Sequence, residues 1–187
     1  FYINVIKKKI KKTKVYYKYF IYGLAIFATI LFLIISKHIR VAIIVTIFIL
    51  LNRLITTYKL FIRLPIEFEF LTLGIVISTL SFGSKAGLVI AIFGCIISFI
   101  IGFEFSTFSL PMFLGYSSVA IITYLLQDYN ITFVGIFATL INNLIVFSLY
   151  HYVFGYDLGR NISFSTSNII FNSVLFFNIA PFLMTII

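Results

Sequence analysis

Few residues in this chain could do chemistry, and two of its five acidic residues, Glu67 and Glu69, follow Pro65 directly before an apolar stretch. Carboxylates at the edge of such a stretch are costly to desolvate, which makes them candidates for binding or ion handling. On a helix, residues two apart point about 200° away from each other. In extended backbone after Pro65 they would share one side. Glu67 is taken as the candidate site residue. The competing reading has both carboxylates at a membrane interface, paired with Arg63 or Lys59.

A second group is polar and uncharged: Asn142 and Asn143, then Asn168, Asn172 and Asn178. Asn168 and Asn172 lie four apart, so a helix puts them on one face. Each amide has two donors and two acceptor lone pairs to satisfy, which suits either a ligand or inter-helix hydrogen bonding. His151, between Tyr150 and Tyr152, could bind a ligand or anchor at headgroup level. His38 lies in a basic turn and reads as solvated.

Enzyme signatures are missing. The two histidines are 113 residues apart, which excludes H-E-x-x-H zinc chemistry. No G-x-S-x-G nucleophile turn occurs, and Gly83-Ser84-Lys85-Ala86-Gly87 lacks the P-loop spacing. The lone Cys95 sits between Gly94 and Ile96 without a disulfide or metal partner in sequence, and reads as a small packing residue. The expectation is a non-catalytic protein without a cofactor or metal site.

The elements that position these residues follow from composition. Of 187 residues, 62% are hydrophobic and 10% charged, against roughly 45–50% and about 25% in soluble domains. The reading is an all-α, polytopic transmembrane bundle, since a span takes about 20 apolar residues and the length allows six or seven. Seven lysines fall within residues 7–18. Residues 1–18 therefore read as a basic cytoplasmic tail contacting anionic lipid, not nucleic acid, and 19–187 as the membrane domain. Tryptophan is absent, so Tyr16, Tyr17, Tyr19 and Tyr22 would mark the interface.

Apolar runs begin at Tyr19–Ser36, retained as a first helix, and near Val41, where Arg53 either snorkels or faces the interior. Phe70–Phe82 is short, roughly 20 Å of helix, so it spans only with its Glu-bearing turn or is re-entrant. Leu88–Phe103, Met112–Leu126, Ile131–Phe154 and Ser163–Ile187 complete the set, the last with a kink expected at Pro181. With the amino terminus inside, eleven basic residues fall inside and three outside. The same ratio holds if the short segment is re-entrant, so the side of the carboxyl terminus stays open.

Small residues Gly87, Ala91, Gly94 and Ser98 recur at helical spacing and would let another backbone approach, as a partner-docking face.

Leu64-Pro65-Ile66-Glu67, the Leu80-Ser81-Phe82-Gly83-Ser84-Lys85-Ala86-Gly87 turn, the glycine-punctuated helix to Gly102, and Ser109-Leu110-Pro111 with Gly115-Tyr116 form a pattern over residues 64–126. It resembles the substrate-binding S-components of energy-coupling-factor (ECF) transporters, with Ser84 where that family carries Pro. The resemblance implies a six-helix core, a small vitamin-like or metal substrate, and a coupling subunit with an ATPase pair. It also implies that the last two helices line the site, through Asn142, Asn143, His151, Asn168 and Asn172. Three functions follow in order: a substrate-binding transporter subunit in the plasma membrane, a structural subunit of a larger membrane complex, and an ion carrier using Glu67.

Overall fold

The computed structural model describes residues 22, 37–60, 65–102 and 109–186. The chain divides into two compact units, Phe1–Arg40 and Val41–Ile187. In the first, Tyr22 and residues 37–40 are described; the basic tail and most of the Tyr19–Ser36 run lie outside the described residues. The second unit carries the site.

Among the described residues the fold is all-helical, with seven α-helices and no strand. They are α1 (Lys37–Thr56), α2 (Leu71–Phe82), α3 (Ser84–Gly102), α4 (Leu110–Leu125), α5 (Ile131–Ser148), α6 (Leu158–Asn178) and α7 (Ala180–Ile186). A 3₁₀ turn, Thr57–Leu60, follows α1, and a π turn, Leu149–Val153, extends α5.

The core sits around α2, which packs against α3, α4, α5, α6 and α7. Its nine residues from Leu71 to Thr79 are all buried. A helix apolar on every side is stable only where neighbours surround it, and α2, about 18 Å long by its twelve residues, is enclosed in this way. A single residue, Gly83, at φ 91°, reverses the chain into α3. That left-handed conformation favours glycine. The helix expected from Leu88 therefore starts at Ser84, and the anticipated Gly83–Gly87 loop shrinks to Gly83.

The small-residue stripe of α3 turns inward. A Cβ on Gly87 would meet the Thr79 hydroxyl and Ala120, and one on Gly94 would meet Leu71. Ala91 is buried, and Ser98 accepts a hydrogen bond from Asn52 of α1 (3.3 Å). The face expected to dock another subunit is thus filled from within the chain. Short α2 needs close neighbours to bury its whole circumference, and small side chains on α3 let it have them.

The outward faces of α5 and α6 carry many large apolar residues. On α6, Asn161, Ser165, Asn168 and Asn172 are buried while Ile162, Ile170, Val174 and Phe177 are 50–65% exposed. On α5, Thr139, Asn142 and Asn143 are buried while Phe133, Phe137, Leu140 and Leu144 are exposed. Ile131–Val153, at 23 residues, is the one described helix long and apolar enough to cross a membrane by itself. Helices α6 and α7, bent by 46°, qualify together as a second if taken as one span. The bend falls at Ile179, directly before Ala180 and Pro181, where the kink was expected.

Helix starts follow their caps. Asn130 accepts from the Thr132 amide (2.8 Å) ahead of α5, and Asp157 from the Arg160 amide (2.9 Å) ahead of α6. Where α5 crosses α6, a Cβ on Gly135 would lie 2.1 Å from the Phe176 ring, itself fully buried. Gly135→Ala should therefore destabilise the fold by a net of about 1–2 kcal/mol, even though Ala is the better helix former. Gly159→Ala, whose Cβ meets only Asp157 Oδ1 at 3.4 Å, should stay within about 0.5 kcal/mol of wild type. Denaturation midpoints of the two variants in detergent check this.

Candidate functional site

Residues Ile66–Glu69, in neither helix nor strand, lead into α2. Backbone groups outside regular structure must find other partners. Side chains supply them here. The Glu67 amide donates to Ser167 Oγ (2.8 Å), the Phe68 amide to the Tyr58 hydroxyl (3.3 Å) and the Phe70 amide to Asn52 Oδ1 (2.9 Å), while the Tyr58 hydroxyl donates to the Ile66 carbonyl. Phe68 and Phe70 flank the Phe171 ring at centroid distances of 5.2 and 5.9 Å. Glu67 and Glu69 are buried, and Phe68 between them is partly exposed.

Glu69 is the centre of the interior polar network. It is fully buried, and both carboxylate oxygens accept hydrogen bonds. Oε2 takes the Thr72 amide (2.8 Å); Oε1 takes the Thr72 hydroxyl (2.6 Å), Asn172 Nδ2 (2.9 Å) and Asn168 Nδ2 (3.3 Å). Among the described residues these partners are neutral donors, two amide side chains, one hydroxyl and one backbone amide. The Thr72 amide belongs to the first turn of α2, whose amino-terminal partial charge favours an anion. Phe70, at the N-cap position, makes no side-chain cap, so Glu69 does that work from one residue earlier.

The network extends across α5 and α6. Asn143 Nδ2 donates to Asn168 Oδ1 (2.8 Å) and to the Thr139 carbonyl (2.9 Å), and Asn172 Nδ2 also lies 3.4 Å from Asn168 Oδ1. Asn143, Asn168, Asn172, Glu69 and Thr72 thus link α5, α6 and the entry to α2. Several acceptors on these helices remain open. Among the described residues, Asn142 Oδ1, Asn161 Oδ1, Ser165 Oγ and Asn172 Oδ1 are buried without a hydrogen-bond partner.

Of the residues anticipated from sequence, Asn143, Asn168 and Asn172 come together. Asn142 is buried one position away, its Oδ1 against Gly115. Glu67 is buried, and its backbone amide donates to Ser167 Oγ of α6. His151 lies in the π turn, its Nδ1 3.5 Å from the Tyr156 carbonyl and its ring against Tyr152 and Phe147, none of them in the network. The side chains of Lys59 and Arg63, the alternative partners of the carboxylates, lie outside the described residues. Sequence reasoning ranked Glu69 below Glu67 and passed over Thr72, Asn161 and Ser165. A signal was available: Asn161, Ser165, Asn168 and Asn172 follow the i, i+4, i+7, i+11 spacing of one helix face.

No family model, curated protein or solved structure matches the chain.

Replacing Glu69 by Leu strands the Thr72, Asn168 and Asn172 donors, each unpaired buried group costing about 1–3 kcal/mol. Glu69→Leu should therefore destabilise the protein by on the order of 3 kcal/mol. Adding Asn168→Leu and Asn172→Leu should recover part of that loss, because polar groups are then removed in company with their partner. Unfolding of the single and triple variants in mixed micelles measures the difference.

Proposed function

We propose that this chain is a polytopic helical membrane protein that binds a small ligand at the Glu69–Asn168–Asn172 cluster, as the non-catalytic substrate-binding subunit of a small-molecule transporter. The observation that carries the reading is the distribution of polarity on α5 and α6. Asn142, Asn143, Asn161, Asn168 and Asn172 are buried beside apolar residues such as Leu175 and Phe176, while Leu140, Leu144, Ile162, Ile170 and Phe177 face outward. That arrangement is stable where the surroundings are apolar, because lipid accepts the outer face and the amides find partners only within the bundle.

Under this reading the described helices other than α5 and the bent α6–α7 pair also sit at membrane depth, in a bundle of six or seven segments. Enclosed α2 is the short one, held by its neighbours rather than spanning by itself. The Lys-rich tail faces the cytoplasm of the plasma membrane against anionic lipid, as its charge asks. The resemblance of residues 64–126 to ECF S-components adds a coupling subunit and an ATPase pair as partners. The α3 stripe, occupied inside the chain, offers no docking face to the scaffold alternative.

Purification of the full chain from membranes in mild detergent tests the proposal in two ways. An ATPase pair should copurify, and at least one member of a panel of water-soluble vitamins, spanning cationic, neutral and anionic molecules, should raise the thermal midpoint. Stoichiometric recovery with membrane proteins of another kind, together with no shift from any panel member, would overturn it in favour of a structural subunit.

A further inference from the structure

We infer that the ligand class of this site is a small cation, an alkali-metal ion or a protonated amine, held between Glu69 and Asn172 and reached along the polar face of α6. This rests on the ligand-binding reading above and names the chemistry of its ligand.

Glu69 is fully buried, and among the described residues its hydrogen-bond partners are the amide and hydroxyl of Thr72 and two asparagine amides, none of them a cationic side chain. The amino terminus of α2 and these dipoles supply no full counter-charge. A buried carboxylate takes a cation or an N–H donor as its partner, and it offers an anion none.

The open oxygens point the same way. Asn172 spends Nδ2 on Glu69 Oε1, and its fully buried Oδ1 has no partner among the described residues. Both atoms hang on one carbon, so Oδ1 lies no more than about 5 Å from that carboxylate oxygen. Unpaired acceptors beside a carboxylate suit a group that brings positive charge or N–H donors. They do not suit a ligand that itself presents oxygens.

The route is a continuation of the same face. Asn161, Ser165, Asn168 and Asn172 step down α6 at intervals of four, three and four residues, all buried. Asn161 Oδ1 and Ser165 Oγ are unpartnered acceptors, like Asn172 Oδ1. The stripe starts one turn from exposed Asp157, the N-cap of α6. A file of acceptor oxygens leading to a buried carboxylate is what a cation needs along a path through an apolar bundle.

Ligand type narrows the cation. Among the described residues no group of three or more His, Cys, Asp or Glu is assembled, so the nitrogen and sulfur donors that zinc, copper or nickel prefer are lacking. Amide, hydroxyl and carboxylate oxygens favour a hard ion or an ammonium group.

The test uses the full chain in mild detergent. Its thermal midpoint is measured in NaCl, KCl and methylammonium chloride against bulky N-methylglucamine chloride at equal ionic strength. One of the small cations should raise it by roughly 5–10 °C at about 100-fold excess over its dissociation constant, and Glu69→Gln should abolish the shift. An alkali chloride acting alone identifies a metal ion, and methylammonium acting alone an amine. Since Glu69→Gln could fail to fold, a second variant tests the route. In a Cys95→Ala background, Ser165→Cys should react at least several-fold faster with a cationic thiosulfonate than with an anionic one, and the stabilising cation should slow that reaction. No shift from small cations, with a neutral or anionic vitamin still stabilising, would overturn the cation and leave the ligand-binding reading intact. No shift from any compound would overturn both, and equal reactivity of Ser165→Cys toward the two reagents would overturn the route.

Discussion

A carboxylate cannot be taken into an apolar interior unless donors meet it there, and the described part of this protein is organised around meeting Glu69. Its partners come from two directions: the first turn of α2 through Thr72, and α6 through Asn168 and Asn172. The first ties the Ile66–Glu69 segment to the helix that follows it; the second joins elements about a hundred residues apart in sequence. Leaving such a buried donor unmet costs about 1–3 kcal/mol, comparable to what burying a large apolar side chain contributes. Their directionality sets the rotation of α6 about its axis, and with it which residues face outward.

Close packing around α2 is the second constraint and depends on the first. With its amino end fixed by Glu69, α2 presents Leu71, Gly74 and Thr79 to neighbours that approach to contact: Leu71 against Gly94, Gly74 against Phe48, Thr79 against Gly87. Small residues alternate with large ones across these contacts. Such packing and the buried polar contacts supply cohesion between the helices. The glycines that read as a surface for another subunit are what allow five helices to surround a short one.

Much of this was legible beforehand. Apolar runs placed the helices to within a few residues, Pro181 announced the break before α7, and Pro65 with Glu67 and Glu69 marked an irregular, chemically distinctive turn. Asn168 and Asn172 at four-residue spacing announced a shared face, and they do share one. What was not legible was which glutamate the amides meet. Glu67 and Glu69 lie two residues apart outside any helix, and both are buried. The docking of α6 brings Ser167 to the Glu67 amide and Asn172 to Glu69 Oε1.

Sequence by itself determined the ingredients: a highly apolar, helix-forming chain, a basic stretch, and a short set of polar groups with helical spacing. These are properties of composition and local period, which hold before any helix meets another. Tertiary structure decided that the α3 stripe faces inward, that Glu69 gathers the asparagines, and that Asn161 and Ser165 continue their line. Those outcomes depend on contacts between separate elements, about a hundred positions apart for Glu69 and its asparagines, and on which helix faces close against one another. A local pattern states what a face is made of, and only its neighbours decide what it touches.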